Sequence, residues 1–172
     1  MNIDTLAKKI ATGDQGAFEQ LYAVMRTPVY AVCLGVVKNA RQAEDLTQDT
    51  FVGVWENVGY FHGVGFETWI LKIAKNKSLN VLRKAKREIA TDFSENENAA
   101  GRYQLDGVET SVVLKAALDR LDDVSRKIVL MKNSGLKTKE IATILEMPRG
   151  TVSWKYTTAL KTLKEILGKE GA

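Results

Sequence analysis

Apolar residues recur at spacings of three and four along most of this chain, and the alternation that a half-buried strand needs is scarce. The pattern predicts helices over Ala43 to Val54, Phe66 to Val81, Val113 to Leu121 and Val152 to Leu167. An earlier helix runs through "DQGAFEQLYAVM", with Asp14 as its N-cap. Pro28 is expected to bend or break that helix, because its ring clashes with the preceding turn and it offers no N–H. The glycines of "VGYFHGVG" mark a loop between two helices. The fold class that follows is all-α.

Charge divides this helical chain. Residues 1–90 hold 12 basic and 9 acidic side chains, residues 91–110 hold 1 and 5, and residues 111–172 hold 12 and 7. The middle block, "TDFSENENAAGRYQLDGVET", is polar and poor in branched apolar residues. It reads as a flexible acidic linker between two small basic domains, 1–90 and 111–172, with an ordered surface loop as the alternative. No internal repeat is visible.

The 172 residues are 45% hydrophobic, enough for a core, and the net charge is +4. A single cysteine, Cys33, rules out an internal disulfide framework, and a single histidine, His62, argues against a zinc site. No run approaches the roughly 18–20 apolar residues that span a bilayer. The opening "MNIDTLAKKI" has no apolar signal core. The expectation is a cytoplasmic protein without metal, cofactor or membrane insertion. With no paired-carboxylate pocket signal, nucleophile motif or phosphate loop, no catalytic residue is assigned.

Adjacent helices carry opposite charge. From Gln42 to Leu71 there is no Lys or Arg, while Lys72 to Arg87 contains seven basic residues and no acid. On the first helix, Ala43, Leu46, Thr50, Phe51 and Val54 share the core side. Asp45, Gln48, Asp49, Val52 and Glu56 face away, with Trp55 at the edge. That face suits a basic partner, and it serves equally as a solvated surface. On the second helix, Phe66, Trp69, Ile70, Ile73 and Val81 cluster on one side, opposite Lys72, Lys75, Asn76, Asn80, Arg83, Lys86 and Arg87. Interleaved Asn and Lys suit nucleic acid, where Asn reads base edges and Lys holds phosphate. The loop ahead brings Tyr60, Phe61, His62, Phe66 and Trp69 beside this face, the ingredients for stacking unpaired bases. Phe66 and Trp69 also fit as plain core.

The segment "LKTKEIATILEMPRGTVSWKYTTALKTLKEIL" reads as a helix-turn-helix. Thr138 is expected to cap the first helix, with Ile141, Ala142 and Leu145 inward. A break falls at Glu146 and Met147, and Pro148 sits in the first turn of the next helix. That helix buries Val152, Ala159, Leu160 and Leu163. Arg149, Ser153, Trp154, Lys155 and Thr158 are then placed to face DNA, an αα-hairpin without a DNA role being the alternative.

Taken together, "GDQGAFEQLY", "AEDLTQDTFVGVW", "FETWILKIAKNKSLNVLRK", "ALDRLDDVSRKIVLM" and "GLKTKEIATILEMPRGTVSWK" resemble the extracytoplasmic-function (ECF) group of sigma-70 factors, in the family's order. The resemblance implies sigma domain 2, a linker and a helix-turn-helix sigma domain 4. It implies that Asp45, Gln48, Asp49, Val52 and Trp55 dock on the clamp helices of core RNA polymerase. It implies that Phe61, Trp69, Lys72, Lys75, Asn76, Asn80 and Arg83 bind and melt the minus-ten promoter element. Thr138, Arg149, Thr151, Ser153, Trp154 and Lys155 would read the minus-thirty-five element, and an anti-sigma factor would cover these faces. The family's several arginines are missing from "TVSWKYTTALKTL", and Lys155 lacks the bidentate fork of Arg. A rival reading is a helix-turn-helix regulator with an N-terminal sensing or dimerising domain. A third is a helical module that binds only protein.

Overall fold

The computed structural model describes residues 2–91 and 112–170. The described residues form eight α-helices. They are α1 (Ile3–Ala11), α2 (Gln15–Val37), α3 (Ala40–Asn57), α4 (Phe66–Thr91), α5 (Val112–Asp119), α6 (Asp123–Asn133), α7 (Thr138–Leu145) and α8 (Arg149–Glu170). A short 3-10 turn, Val58–Tyr60, follows α3. Residues 92–110, the body of the expected linker, lie outside the described residues.

Side-chain oxygens start four of the helices. Asn2, Asp14, Asn39 and Asp122 each accept from a backbone N–H in the first turn of α1, α2, α3 and α6 respectively. Pro28 does not break α2, which continues to Val37. The proline is itself buried, and the turns after it, Val29 to Val36, are buried throughout except at half-buried Tyr30. That packing outweighs a lost hydrogen bond and clash of about 3 kcal/mol. By length and composition α2 could cross a bilayer, which the apolar-run expectation overlooked. Its Leu21, Met25, Val29, Val32 and Cys33 are instead enclosed by protein.

The helices α2, α3 and α4 pack around these residues together with Leu46, Phe51, Val54, Phe66 and Ile70. Three buried hydroxyls here are satisfied locally. Thr47, Thr50 and Ser78 each donate to the carbonyl one turn back, at 2.6, 2.7 and 2.8 Å. Burial pushes the Cys33 thiol up, against weaker hydrogen bonds from Ser78, Thr47 and Thr50.

Helix α4 takes its cap from a distance. Asp4, on α1, accepts from the backbone N–H of Phe66 at 2.7 Å and of Gly65 at 3.1 Å, 62 and 61 residues away. The chain reaches this cap through Gly63 and Gly65, whose φ values of +99° and +90° favour glycine.

In the C-terminal half, α7 and α8 form the expected helix-turn-helix with Val152 wholly buried between them. The turn needs a left-handed residue, and Glu146 supplies it at φ 55°, ψ 48° where glycine would be less strained. Four local expectations are corrected. Lys137, not Thr138, is the N-cap residue of α7, and its N–H donates to the Glu140 carboxylate at 2.8 Å. Pro148 precedes α8 and takes its first backbone bond, from Val152, at 3.1 Å. Ile144 is the wholly buried residue of that turn while Leu145 packs against the core only half-buried, and Leu160 is likewise half-buried.

The two halves do not stay apart. Helix α6 packs along α2 and α7 packs against α4, so that Ile128, Met131, Ile141 and Ile144 join the same buried cluster as Leu21 and Val32. A smaller cluster of Ala117, Leu118, Leu121, Ala159 and Leu163 holds α5 to α8.

Candidate functional site

Packing decides which side chains are free to meet a partner. On α3, one side is consumed by Ala43, Leu46, Thr50, Phe51 and Val54. Asp45, Gln48, Asp49, Val52 and Trp55 are all exposed, Val52 at 56% and Trp55 at 39%. Phe18 steadies the Trp55 ring edge-on at 5.1 Å, so the indole is held in place although it faces solvent. Two apolar side chains among the carboxylates of α3 make a patch that favours a basic partner with some apolar contact.

On α4, Lys72, Asn76, Asn80 and Arg83 are exposed, as are Lys86 and Arg87 beyond them. Lys75 departs from this set. It is half-buried, and its ammonium donates to the Ile144 carbonyl of α7 at 2.6 Å. Its charge is turned to the end of the neighbouring helix, where carbonyls lack intrahelical partners.

The loop between α3 and α4 splits the aromatic residues that the sequence grouped together. Phe61 lies 5.0 Å from Phe66 and 5.5 Å from Trp69, and Phe66 and Trp69 stack at 5.5 Å. Phe66 is wholly buried, and Phe61 and Trp69 are half-buried. Tyr60 and Val64 project instead, 81% and 86% exposed. The side chain most available to stack on a ligand is therefore Tyr60, with Phe61 holding the loop to α4. His62 is exposed.

On the helix-turn-helix, Arg149, Ser153 and Trp154 are exposed, while Thr138, Thr151 and Lys155 are half-buried. Lys155 lies 3.8 Å from Asp122, the cap of α6. The Asp122 carboxyl is held below its ordinary range, first by its hydrogen bond with the Ser125 side chain and less by Lys155. Trp154, 65% exposed, stands out from the turn that follows Arg149. Among the described residues no cluster of His, Cys, Asp and Glu could hold a metal ion.

Two features of the site have no local sequence signal. Asp4 fixes the start of α4 from another helix. Glu67, in the first turn of α4, faces Glu140 of α7; burial raises its carboxyl first, and the Glu140 carboxylate raises it further.

Comparison with known proteins adds an independent line. The model of Sigma-70 region 2 matches residues 21–88, and that of Sigma-70 region 4 matches residues 111–163. The ECF RNA polymerase sigma factor SigW of Bacillus subtilis is 27% identical over 97% of each chain. SigE of Mycolicibacterium smegmatis, also an ECF sigma factor, is 30% identical over 94% of this chain and 67% of its own. Among solved structures, CnrH in complex with the cytosolic domain of CnrY superposes with a TM-score of 0.66 at 24% identity, covering 96% of both chains. The sigma factor RpoE of Bartonella quintana, solved with the anti-sigma factor NepR, superposes with a TM-score of 0.67 at 24% identity, covering 88% of this chain and 96% of that one.

Proposed function

The chain belongs to the sigma-70 family, in its ECF group, and on that premise we propose that α3 carries it onto core RNA polymerase while α4 and α8 select the promoter. One observation carries the reading. Helices α3 and α4 share a single core, yet α3 turns an acidic, Trp-bearing face outward and α4 turns out a Lys/Asn face. A small domain that must hold a protein and a nucleic acid at once needs such a division. Asp45, Gln48, Asp49, Val52 and Trp55 meet the clamp helices. Lys72, Asn76, Asn80 and Arg83 meet the minus-ten element, with Tyr60 and Val64 beside the melted strand and Phe61 and Trp69 supporting them. Arg149, Ser153, Trp154 and Lys155 reach the minus-thirty-five element.

The working division runs 1–90 for polymerase and minus-ten contacts and 111–172 for minus-thirty-five contacts. The protein supplies recognition and strand opening and no chemistry of its own, and it acts in the cytoplasm. An anti-sigma protein is its natural antagonist, as NepR is found with RpoE. The rival reading, a regulator with an N-terminal sensing domain, loses its support because the N-terminal half matches Sigma-70 region 2.

The test is charge reversal on α3. Asp45→Lys with Asp49→Lys touches no buried group, and exposed charges contribute under about 1 kcal/mol per pair to folding. The melting temperature should stay within a few degrees of the parent. Retention on immobilised core polymerase should be lost or greatly weakened, and affinity for promoter DNA alone should hold or rise. Normal retention on core would show that the acidic face is only solvated surface.

A further inference from the structure

Helix α8 leaves its largest side chain in water. Val152, Ala159 and Leu163 turn inward, and Trp154 stands away from them, 65% exposed. Gly150, Trp154, Thr157 and Lys161 follow one another at spacings of four, three and four, which puts them on one side of the helix, and all are exposed. The Thr157 hydroxyl donates to the Ser153 carbonyl at 2.9 Å, so its methyl is what that side chain has left to offer. Lys155 lies off this ridge, half-buried and 3.8 Å from Asp122. Arg149 is the only arginine of α8.

Gly150 is a second, independent observation. It lies in the first turn of α8, and a Cβ built on it would meet nothing within 4 Å. Its backbone is not left-handed either. Neither packing nor conformation within the protein accounts for glycine here, and alanine would favour the helix. A molecule that comes close to the helix surface beside the indole would use the space that the missing side chain leaves.

On the sigma-factor reading above, on which this inference rests, the ridge enters a major groove. The apolar group that base edges offer there is the C5-methyl of thymine, among hydrogen-bond donors and acceptors. An indole has one N–H donor and two apolar faces, so laying it on those polar groups would leave them unpaired, a cost the methyl does not carry. With one arginine, α8 can make one bidentate contact to guanine. We infer that Trp154 is a specificity-determining residue that packs its indole on a thymine methyl of the minus-thirty-five element, with Gly150 as the gap that lets the DNA come close. The element is then selected through a methyl group at that position, and Arg149 supplies the forked contact.

Deoxyuridine pairs as thymidine does and lacks only the methyl, so it isolates the contact. Promoters located by start-site mapping are rebuilt as synthetic duplexes with every thymine of the upstream element replaced by uracil, and holoenzyme binding is measured at fixed salt. Wild type should bind the uracil promoter about fourfold more weakly for each methyl that meets the indole, the worth of roughly one buried methylene. Trp154→Ala should bind the thymine promoter more weakly and lose the thymine–uracil difference, whereas Trp154→Phe keeps a ring and should keep the difference. Gly150→Ala should hold or raise Tm and yet weaken binding to the thymine promoter. Equal binding of both promoters by wild type, or an undiminished difference in Trp154→Ala, overturns the inference, as does an upstream element with no A·T pair. Unchanged binding by Gly150→Ala overturns the close approach. A wild-type chain that gives no promoter-dependent starts with core sinks the sigma-factor reading itself. Mapped starts that are indifferent to the methyl leave that reading standing and make Trp154 a protein contact instead.

Discussion

Replacing Asp4 should damage a site more than sixty residues away in sequence. Its carboxylate receives two backbone N–H groups at the start of α4, at 2.7 and 3.1 Å. Loss of an N-cap costs about 0.5–2 kcal/mol, and a negative charge at a helix N-terminus adds about 0.3–1 kcal/mol near the surface. Asp4 is half-buried, and it also lies close enough to Glu67 to raise that carboxyl, so its removal relieves a small repulsion. We therefore expect Asp4→Ala to cost about 1–2 kcal/mol, which for a chain of this size lowers Tm by about 2–8 °C. Asp4→Asn keeps an acceptor and should recover most of the loss, because Asn caps helices as well as Asp. The damage should be felt in the Phe61–Gly65 loop that the cap anchors. Promoter melting, followed by permanganate reactivity of unpaired thymines, should fall further than core binding, which we assign to α3. An unchanged Tm, or an Asn variant as impaired as the Ala variant, would refute the capping role.

Three further outcomes follow from the same contacts. Lys72→Ala and Arg83→Ala should each weaken holoenzyme–promoter binding and flatten its salt dependence by about one unit of slope per lost phosphate contact; unchanged slopes would move the minus-ten face elsewhere. Lys155→Ala and Trp154→Ala should impair use of the minus-thirty-five element, and normal transcription from both would assign α8 to protein recognition. Burial first, and the Glu140 carboxylate second, raise the Glu67 carboxyl, so its protonated form stabilises the contact between α4 and α7. That contribution is present at low pH and lost as pH rises through the raised value. The Tm should therefore fall as pH rises through that raised value, and Glu67→Gln should flatten this part of the pH profile; an identical profile in the variant would show that Glu67 does not contribute.

Much of this was legible because the local signals are strong. The three-and-four spacing on α3 separates Leu46 and Val54 from Asp45 and Asp49, and the burial pattern follows it. Asp14 caps α2 as a short polar residue ahead of an apolar run should. The misses lie where tertiary contact overrides the local rule. Pro28 carries every local mark of a helix break, but burial on both sides of it keeps α2 continuous. Periodicity put Lys75 on the same arc as Lys72, but could not show that α7 would cover it. Phe61 and Tyr60 are adjacent aromatics in one loop, and only packing against Phe66 and Trp69 tells them apart. Asp4 acts on a partner 62 positions away, beyond any window of sequence pattern.

On the proposed reading, this chain directs core polymerase to promoters through two separated DNA contacts. The most direct test is run-off transcription on genomic DNA fragments, with purified core and with start sites mapped at nucleotide resolution. Discrete starts should appear only when the chain is added, each preceded by two shared elements. Substitutions in the upstream element should matter only while Arg149, Trp154 and Lys155 are intact. Starts that are the same with and without the chain, from protein that is folded and bound to core, would contradict it.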